Sequence, residues 1–509
     1  MTRIRVFDDD NDLVDRTQDV LEKFGVKFCN TSDQKWAQRG FREAGEHQLV
    51  LSTRETETTR WQEAVDNIYT MANDAAAQLG NTMGVELVNP HRGYFDVSSA
   101  IEPGTPIHRS FLLIEQVVEA EVRKSCSNLW TSIAYHNRKN KFSDLDGIYV
   151  IEQLTVIVFI APGSVACWGD IQAQICHAIE ALPFDEDVEI ALEILPGFNV
   201  PSRTISDPTT SCHPRYQGDI PPIPTLGASI GPQLSDTESG SLGSVVNFQP
   251  RDGGKPQKCF LTAYHVVASG DPIGRAANDE LGIGLDGRAV SRRIEISYPA
   301  CCDGEYTKER LAGFVAGDES PERGYAALTA LIEREGVIGE VIHASGLRHS
   351  STGDRRRRVD WALVALHPSK DAVLNSPVDD SKFSHKDRQA FTFLYRTEPG
   401  DVISRTAEPV AFSWAAKFHI GRWGTAGRVN SMERTVHWGD GVVSKEVEVI
   451  PFEMAFAEGG DDGSMVFNLE KEWVGMVVGG DSEWAGYVTP AADIITDIEA
   501  RTGGIITLI

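Results

Sequence analysis

The sequence predicts a multidomain protein in which an N-terminal α/β region is followed by a C-terminal all-β region. Its 509 residues are enough for several domains of ordinary size. A hydrophobic content of 41% excludes a wholly disordered chain. Helical and strand patterns alternate over residues 106–196, whereas residues 226–509 consist of short β-type segments separated by glycine and polar turns. The second pattern is typical of a barrel or a sandwich.

The N-terminal region divides into two parts. Residues 1–105 are polar and partly helical, with one helix predicted over 61–79, a stretch rich in alanine and free of glycine and proline. Residues 106–196 are predicted to form a small α/β domain with two helices. Their buried faces are predicted from apolar residues at helical spacing: Phe111, Ile114, Val118 and Val122 in the first helix, and Ile171, Ile175, Ile179 and Leu182 in the second.

Two strands and a linker complete this region. The run 154–161 is short, apolar and β-branched, which predicts a buried strand. Apolar residues at 188, 190, 192 and 194 alternate with glutamate and alanine, which predicts a strand with one solvent-exposed face. Residues 197–225 contain six prolines among serine, threonine and aspartate, so we expect an extended linker there.

Three short segments of the all-β region carry chemically useful side chains. They read Leu-Thr-Ala-Tyr-His at 261–265, Asp-Trp-Ala-Leu at 360–363 and Gly-Asp-Asp-Gly-Ser at 460–464. Hydrolysis of an amide by a hydroxyl needs a base, a carboxylate that orients the base, and backbone N–H groups that hold the developing oxyanion. His265, Asp360 and the glycine-rich turn, in that order, would supply these parts.

At these residues the sequence resembles the trypsin/chymotrypsin-like serine peptidases, whose fold is a pair of six-stranded β-barrels. The matching pieces L-T-A-x-H, D-x-A-L and G-D-x-G-S occur in the family's order. A glycine-punctuated strand pair at 417–429, a strand at 473–480 and a helix at 491–500 also fit. The resemblance covers residues 226–509 and implies a trypsin-like double β-barrel with a C-terminal helix. The long interval between His265 and Asp360 additionally predicts a helical insertion around 303–336.

The resemblance also implies the role of each site residue. His265 would be the general base, Asp360 the carboxylate that orients it, and the backbone N–H groups of Gly460 and Asp462 the oxyanion hole. The chain departs from the family at the nucleophile, because the family turn reads Gly-Asp-Ser-Gly and this turn has Asp462 in the serine place. The next serine is Ser464.

Ser464 is the alternative nucleophile, but its register differs from that of the family serine. A shift of two residues along a strand moves a hydroxyl by roughly 6–7 Å, which is beyond the reach of proton transfer to a fixed histidine. Ser464 could therefore act only in a rebuilt turn. Its other interpretation is that of a turn residue whose hydroxyl caps the local backbone.

Asp462 itself is poorly suited to replace the serine. Carboxylates are weak nucleophiles toward unactivated amides, and another negative charge would repel a developing oxyanion. Beside His265, the carboxylate is expected to form a charge-assisted pair and to raise the pKa of the imidazole, which would keep it protonated. We therefore expect ordinary peptidase activity to be lost.

Two further features surround the predicted site. Phe456, Gly479 and Gly480 are expected to line the substrate cleft, where the family's basic-specific members carry an aspartate at the position of Phe456. Such a pocket would not favour arginine or lysine. The four arginines at 355–358 are predicted to lie in a solvated loop, with a localisation signal or a site for an acidic partner as the alternative.

Composition limits the partners and the compartment. The net charge of −26 argues against binding to nucleic acid or anionic membranes. The eight cysteines are sparse and form no C-x-x-C pair, so we expect neither disulfides nor a metal site, and no cofactor. Without a pattern for a signal peptide or a transmembrane segment, an intracellular, cytoplasmic protein is expected.

The favoured hypothesis is a trypsin-like pseudo-peptidase with a binding or regulatory role, whose barrel cleft takes a peptide or protein ligand. The first alternative is an active intracellular serine endopeptidase that uses His265, Asp360 and Ser464. The second is a structural assembly protein that acts through its N-terminal region, for which a protein partner is also considered.

Overall fold

The computed structural model describes residues 11–38, 41–77, 83–89, 95–140, 152–184, 188–197, 199–200, 223–235, 238–285, 292–304, 329, 336–352, 355–370, 373–376, 401–418, 424–439, 441–452, 455–481 and 485–509. The chain divides into two compact units. The first comprises Met1–Ser98 and Asn137–Gln153, and the second comprises Ser99–His136 and Leu154–Ile509.

The first unit contains a small sheet with two helices. Its elements are α1 (Asn11–Lys23), β1 (Phe28–Gln38), β2 (Phe41–Thr53), α2 (Trp61–Ala77) and β3 (Met83–Val88), followed by β4 (Phe95–Ser99). Strand β1 pairs antiparallel with β2, and β2 pairs parallel with β3. Helix α2 is the helix predicted over 61–79, while the three strands were not predicted. The core is formed by Leu21, Val26, Leu49, Leu51, Ala64, Ile68, Ala72 and Met83.

The α/β segment belongs to the second unit except at residues 137–140 and 152–153, which fall in the first. Its elements are α3 (Pro106–Ser125), β5 (Trp130–Asn140), β6 (Glu152–Ile160), α4 (Trp168–Glu180), β7 (Ile190–Pro196) and β8 (Asn199–Val200). Helix α3 starts at proline, and its N-cap Thr105 accepts a hydrogen bond from the His108 N–H. The buried residues of both helices are those predicted, except that Leu182 lies beyond the end of α4.

A half-barrel follows, built around a sheet with the strand order β10-β9-β13-β14-β17-β12-β11, which ends on the C-terminal strand β25 (Ile505–Leu508). Its elements are β9 (Ser229–Pro232), β10 (Gly240–Ser241), β11 (Val245–Gln249), β12 (Gln257–Thr262), α5 (Tyr264–Val267), α6 (Arg275–Leu281), β13 (Glu295–Tyr298), β14 (Gly336–Ala344), β15 (Arg348–Thr352), β16 (Arg355–Val359) and β17 (Ala362–Leu366). Strands β15 and β16 form a separate hairpin. The insertion expected around 303–336 falls almost entirely outside the described residues.

The C-terminal part forms a closed barrel of six strands. Its elements are β18 (Trp414–Phe418), β19 (Gly424–Val429), β20 (Arg434–His437), β21 (Val443–Pro451), β22 (Met465–Asn468), β23 (Trp473–Asp481), β24 (Gly486–Pro490), α7 (Ala491–Thr502) and β25 (Ile505–Leu508). The pairings run β18-β22-β23-β24-β21-β19 and return to β18. Strand β20 extends this sheet through β5 to β6 and β7.

These elements confirm the predicted trypsin-like double-barrel fold with its C-terminal helix. Buried residues of the half-barrel and of the closed barrel share one hydrophobic core, which includes Trp361, Trp473, Tyr487 and Ile494. The α/β segment lies in the same compact unit, because its sheet is continuous with that of the closed barrel. Among the described residues, no helix combines the length and the apolar composition that crossing a membrane requires.

Candidate active site

The register between β12 and β17 brings His265 and Asp360 together. These strands are antiparallel, with Thr262 at the end of β12 opposite Ala362 at the start of β17. His265 follows β12 in the short helix α5. Asp360 precedes β17, and both residues therefore lie at the same end of this strand pair. Both residues are buried. The sheet geometry alone therefore explains why two residues 95 positions apart in sequence are neighbours.

The turn that carries Asp462 lies between two glycines with left-handed backbone angles. Gly460 and Gly463 both have φ of 91°. A Cβ on Gly463 would lie 2.3 Å from Thr262 Oγ1 and 2.7 Å from the carbonyl oxygen of Ser241, so only glycine fits this position. The Ser241 N–H donates to the Asp462 carbonyl, and the Ser241 hydroxyl donates to the Gly460 carbonyl. The half-barrel thereby fixes the turn of the closed barrel.

His265 is held by Asp360 through two hydrogen bonds. Its Nδ1–H donates to Asp360 Oδ2 over 2.6 Å, and its backbone N–H donates to Asp360 Oδ1 over 3.0 Å. Arg358 also donates through Nε to Asp360 Oδ2, at 3.0 Å. Asp360 thus orients the imidazole in the manner expected of a histidine–aspartate pair.

The other face of the imidazole meets Asp462. His265 Nε2 lies 3.2 Å from Asp462 Oδ2, and the exposed fractions of these side chains are 7% and 4%. A carboxylate therefore lies against the nitrogen that a general base would use. Arg358, Asp360, His265 and Asp462 form a row of buried groups that alternate in charge when the imidazole is protonated.

The pKa values follow from this row of charges. Burial on its own would lower the pKa of His265, because it disfavours the imidazolium, but the carboxylates of Asp360 and Asp462 raise it to about 9. Burial would likewise raise the pKa of Asp360, but His265 and Arg358 hold it well below its usual range. At neutral pH the imidazole of His265 is therefore protonated.

Ser464 is not brought to His265. It is fully buried, and its hydroxyl donates to the Phe418 carbonyl oxygen over 3.4 Å. Its backbone is tied on both sides, since its N–H donates to Asp461 and its carbonyl oxygen accepts from Val477. This is the role of a turn residue that caps local backbone, which the sequence offered as the alternative to catalysis.

Of the residues expected to line the cleft, Phe456 lies in the loop between β21 and β22, and the two glycines lie on β23. Phe456 is completely buried, and a Cβ on Gly486 would lie 2.5 Å from its ring. Gly479 and Gly480 belong to β23, where they pair with Tyr487 and Gly486 on β24. The Phe456 ring therefore packs against the backbone of β24 at Gly486.

Sequence reasoning missed the role of Arg358. Residues 355–358 were expected in a solvated loop, and this prediction is wrong, because they form strand β16. Arg358 is buried, with its guanidinium 4.3 Å from the centre of the Trp438 ring and its Nε on Asp360. A signal was available, because Arg358 precedes Asp360 by two residues, and side chains two residues apart in an extended chain point to the same side.

Lys417 is a second residue that the sequence reasoning did not single out. Its Nζ lies 2.8 Å from Asp461 Oδ2, and the exposed fractions of the two side chains are 0% and 1%. Asp461 Oδ2 also accepts the Glu458 N–H over 2.8 Å. A lysine in the apolar strand Trp-Ala-Ala-Lys-Phe is the signal that could have pointed to a buried acidic partner.

The comparison with protein-family models and with curated proteins finds no match. Among solved structures, the chain is similar to protease A of Thermobifida fusca, at 14% identity over 56% of this chain and 98% of that one, with a TM-score of 0.30. It is also similar to a chymotrypsin of Cellulomonas bogoriensis, at 13% identity, 56% and 97% coverage and a TM-score of 0.27. A Nocardiopsis protease follows at 12% identity, 56% and 98% coverage and a TM-score of 0.28.

Proposed function

We propose that the chain is a trypsin-like peptidase-family protein that has lost peptide hydrolysis and has a binding or regulatory role. The observation that carries this proposal is the contact of 3.2 Å between His265 Nε2 and Asp462 Oδ2. Asp462 takes the serine place of the family turn Gly-Asp-Ser-Gly, and its carboxylate meets the nitrogen that would accept the serine proton. A carboxylate at this point lacks the hydroxyl that would act as the nucleophile.

The electrostatics of the site support the loss of base catalysis. A general base works best with a pKa near the operating pH, and the raised pKa of His265, about 9, keeps its imidazole protonated. Both ring nitrogens face carboxylates, so the protonated ring is stabilised rather than poised to accept a proton. The negative Asp462 would in addition oppose the charge of an oxyanion in the same turn.

The ligand that we propose is a peptide or protein segment bound in the barrel cleft. Strand β23 runs beside the turn and continues past the end of its pairing with β22, and an extended chain can add to such a strand through main-chain hydrogen bonds. For the first unit, which contains the N-terminal helices and sheet, we propose a protein partner.

A fluorophosphonate probe, which reacts with activated serine hydroxyls, tests the proposal. We expect no labelling of the wild-type chain and labelling of Asp462→Ser, in which the nucleophile is restored. Labelling should disappear again in Asp462→Ser combined with His265→Ala. Asp462→Asn is the matched control, because it removes the negative charge without adding a hydroxyl, and it should stay unlabelled.

The opposite result has a definite meaning. Labelling of wild-type Ser464 that is lost on His265→Ala would overturn the proposal and establish the active serine endopeptidase. Far-UV circular dichroism of each variant verifies that the fold is kept. The hydrogen bond from Ser464 to Phe418 predicts that Ser464→Ala leaves labelling of the Asp462→Ser variant unchanged.

A further inference from the structure

The edge of strand β23 next to the candidate site extends beyond its partner β22. Strand β22 pairs with β23 from Trp473 to Met476. The next residue, Val477, exchanges hydrogen bonds with the turn: its carbonyl accepts the Gly463 N–H and its N–H donates to the Ser464 carbonyl. Past Val477, the main chain of β23 continues to Asp481 with strand β24 on its other edge. This second half of β23 presents its edge directly beside the site.

The chain's own strand β8 occupies that edge. Val200 pairs antiparallel with Gly480, and Asn199 pairs with Asp481. The Asp481 N–H donates to Ala485, on the β24 side. Since successive residues of a strand direct their N–H and C=O groups to opposite edges, those of Gly480 point toward β8. Val200 and Gly480 are therefore the hydrogen-bonded pair, and Asn199 directs its main-chain groups away from β23.

The direction of β8 relates it to the turn. From Asn199 to Val200 the chain advances from Asp481 toward Gly480, and hence toward Val477 and the turn. Val477 and Gly480 are three residues apart, which is about 10 Å along a strand. Pro201 follows Val200 in the sequence, and a residue before proline is restricted to extended backbone angles. Val200 therefore favours the conformation that pairing with a sheet edge requires.

We propose that the edge of β23 at Gly480 is a site for an extended peptide, and that the segment Asn199–Val200 is its ligand within the same chain. This inference rests on the proposed peptide-binding function and adds its regulation. Strand addition supplies affinity through main-chain hydrogen bonds, so an external peptide and β8 compete for the same Gly480 groups. Because Asp462 takes the serine place, a peptide at this edge is retained rather than cleaved.

Tethering sets the strength of this competition. A ligand joined to its site by a short chain acts at an effective concentration of about 1 mM. If the segment binds with a dissociation constant of about 0.1 mM, the intact chain binds an external peptide about tenfold more weakly than a chain whose β8 is displaced. Displacement of β8 by a partner would open the site.

The test compares two proline variants of the full-length chain. Val200→Pro removes the N–H that faces Gly480, whereas Asn199→Pro, the matched control, removes an N–H that points away from β23. The first readout is hydrogen exchange at the Gly480 amide, which we expect to be at least about tenfold faster in Val200→Pro and unchanged in Asn199→Pro. The second is binding of a fluorescent synthetic peptide with the sequence of residues 196–203, PGFNVPSR, which should be about tenfold tighter for Val200→Pro than for the wild type.

Each combination of results decides a separate point. Unchanged exchange at Gly480 in Val200→Pro, or equal acceleration in both variants, would overturn the ligand role of β8. Faster exchange without peptide binding by any variant would support the β8 pairing and contradict the peptide-binding function. Equal peptide binding by all three proteins with unchanged exchange would support the function and contradict its regulation by β8. Unfolding midpoints of the variants show that the barrel itself is intact.

Discussion

Lys417 Nζ lies 2.8 Å from Asp461 Oδ2, and both side chains are removed from solvent. Lys417 lies on β18 of the closed barrel, and Asp461 lies in the turn directly before Asp462. The ammonium also lies 5.7 Å from the centre of the Phe456 ring. A single buried ion pair thus connects the turn of the candidate site to the wall of the barrel and to the aromatic residue beside it.

Removal of Lys417 should be strongly destabilising. Lys417→Met leaves the Asp461 carboxylate buried without its cation, which we expect to cost about 3–5 kcal/mol of unfolding free energy. The double variant Lys417→Met with Asp461→Asn should recover at least about half of that loss, because no uncompensated charge remains. Urea unfolding of the four proteins measures the coupling. Strictly additive losses would contradict an ion pair that matters to stability.

Gly463 should tolerate no side chain. Gly463→Ala forces a Cβ into the left-handed region and to within 2.3 Å of Thr262 Oγ1, so a loss of about 2 kcal/mol or more is expected. Gly439→Ala is the control, since nothing lies within 4 Å of a Cβ there. In the Asp462→Ser background, Gly463→Ala should also abolish fluorophosphonate labelling. Equal stability of the two alanine variants would show that the turn adapts.

The contrast between His265 and Arg358 shows what the sequence can predict. His265, Asp360 and the glycine turn lie in short sequence segments that resemble the motifs of a known family, so their approach could be predicted from the sequence. The 3.2 Å contact of Asp462 was anticipated only as a charge pair, because its distance depends on the φ angles of the flanking glycines. Arg358 was misplaced because a run of four arginines was interpreted by its charge, while its burial depends also on Trp438, which lies 80 residues further along the chain.

The helices and strands also differ in how far the sequence predicts them. Helix α3 and helix α4 were predicted with their buried faces because helical spacing is a local signal. The strands of the first unit were missed because residues 28–53 are polar and show no regular alternation. The pairing of Val200 with Gly480 could not be predicted, since a strand of two residues in a proline-rich stretch has no periodicity to detect.

Arg358 should affect the stability of the protein in acid. The ionised side chain of Asp360 stabilises the folded protein at pH values above its ordinary pKa. This stabilisation is lost as the pH falls through the depressed pKa of the folded state. Arg358→Met removes a charge that depresses this pKa, so acid unfolding should begin at a pH higher by about half a unit or more. Tryptophan fluorescence against pH measures the midpoint. Arg356→Met, at an exposed position two residues earlier on β16, should leave the midpoint unchanged.

The stabilisation that His265 provides should be lost in alkali. Its pKa is about 9 in the folded state, above the ordinary value of 6.5, so the folded protein binds the proton more tightly than the unfolded chain. The stabilisation is fully present below about pH 6.5 and is lost as the pH rises through about 9. Its size follows from the difference between the two pKa values, and is on the order of 3 kcal/mol at most.

The variant His265→Gln isolates this contribution from those of other groups that titrate in alkali. Urea midpoints measured from pH 6 to pH 10 should fall more steeply for the wild type than for His265→Gln. Asp462→Asn should show an intermediate slope, because Asp360 remains to raise the pKa of the imidazole while one of the two carboxylates is gone. Parallel curves for the wild type and His265→Gln would mean that the imidazole is neutral at pH 7. That result would contradict the protonated ring that the contacts with Asp360 and Asp462 favour.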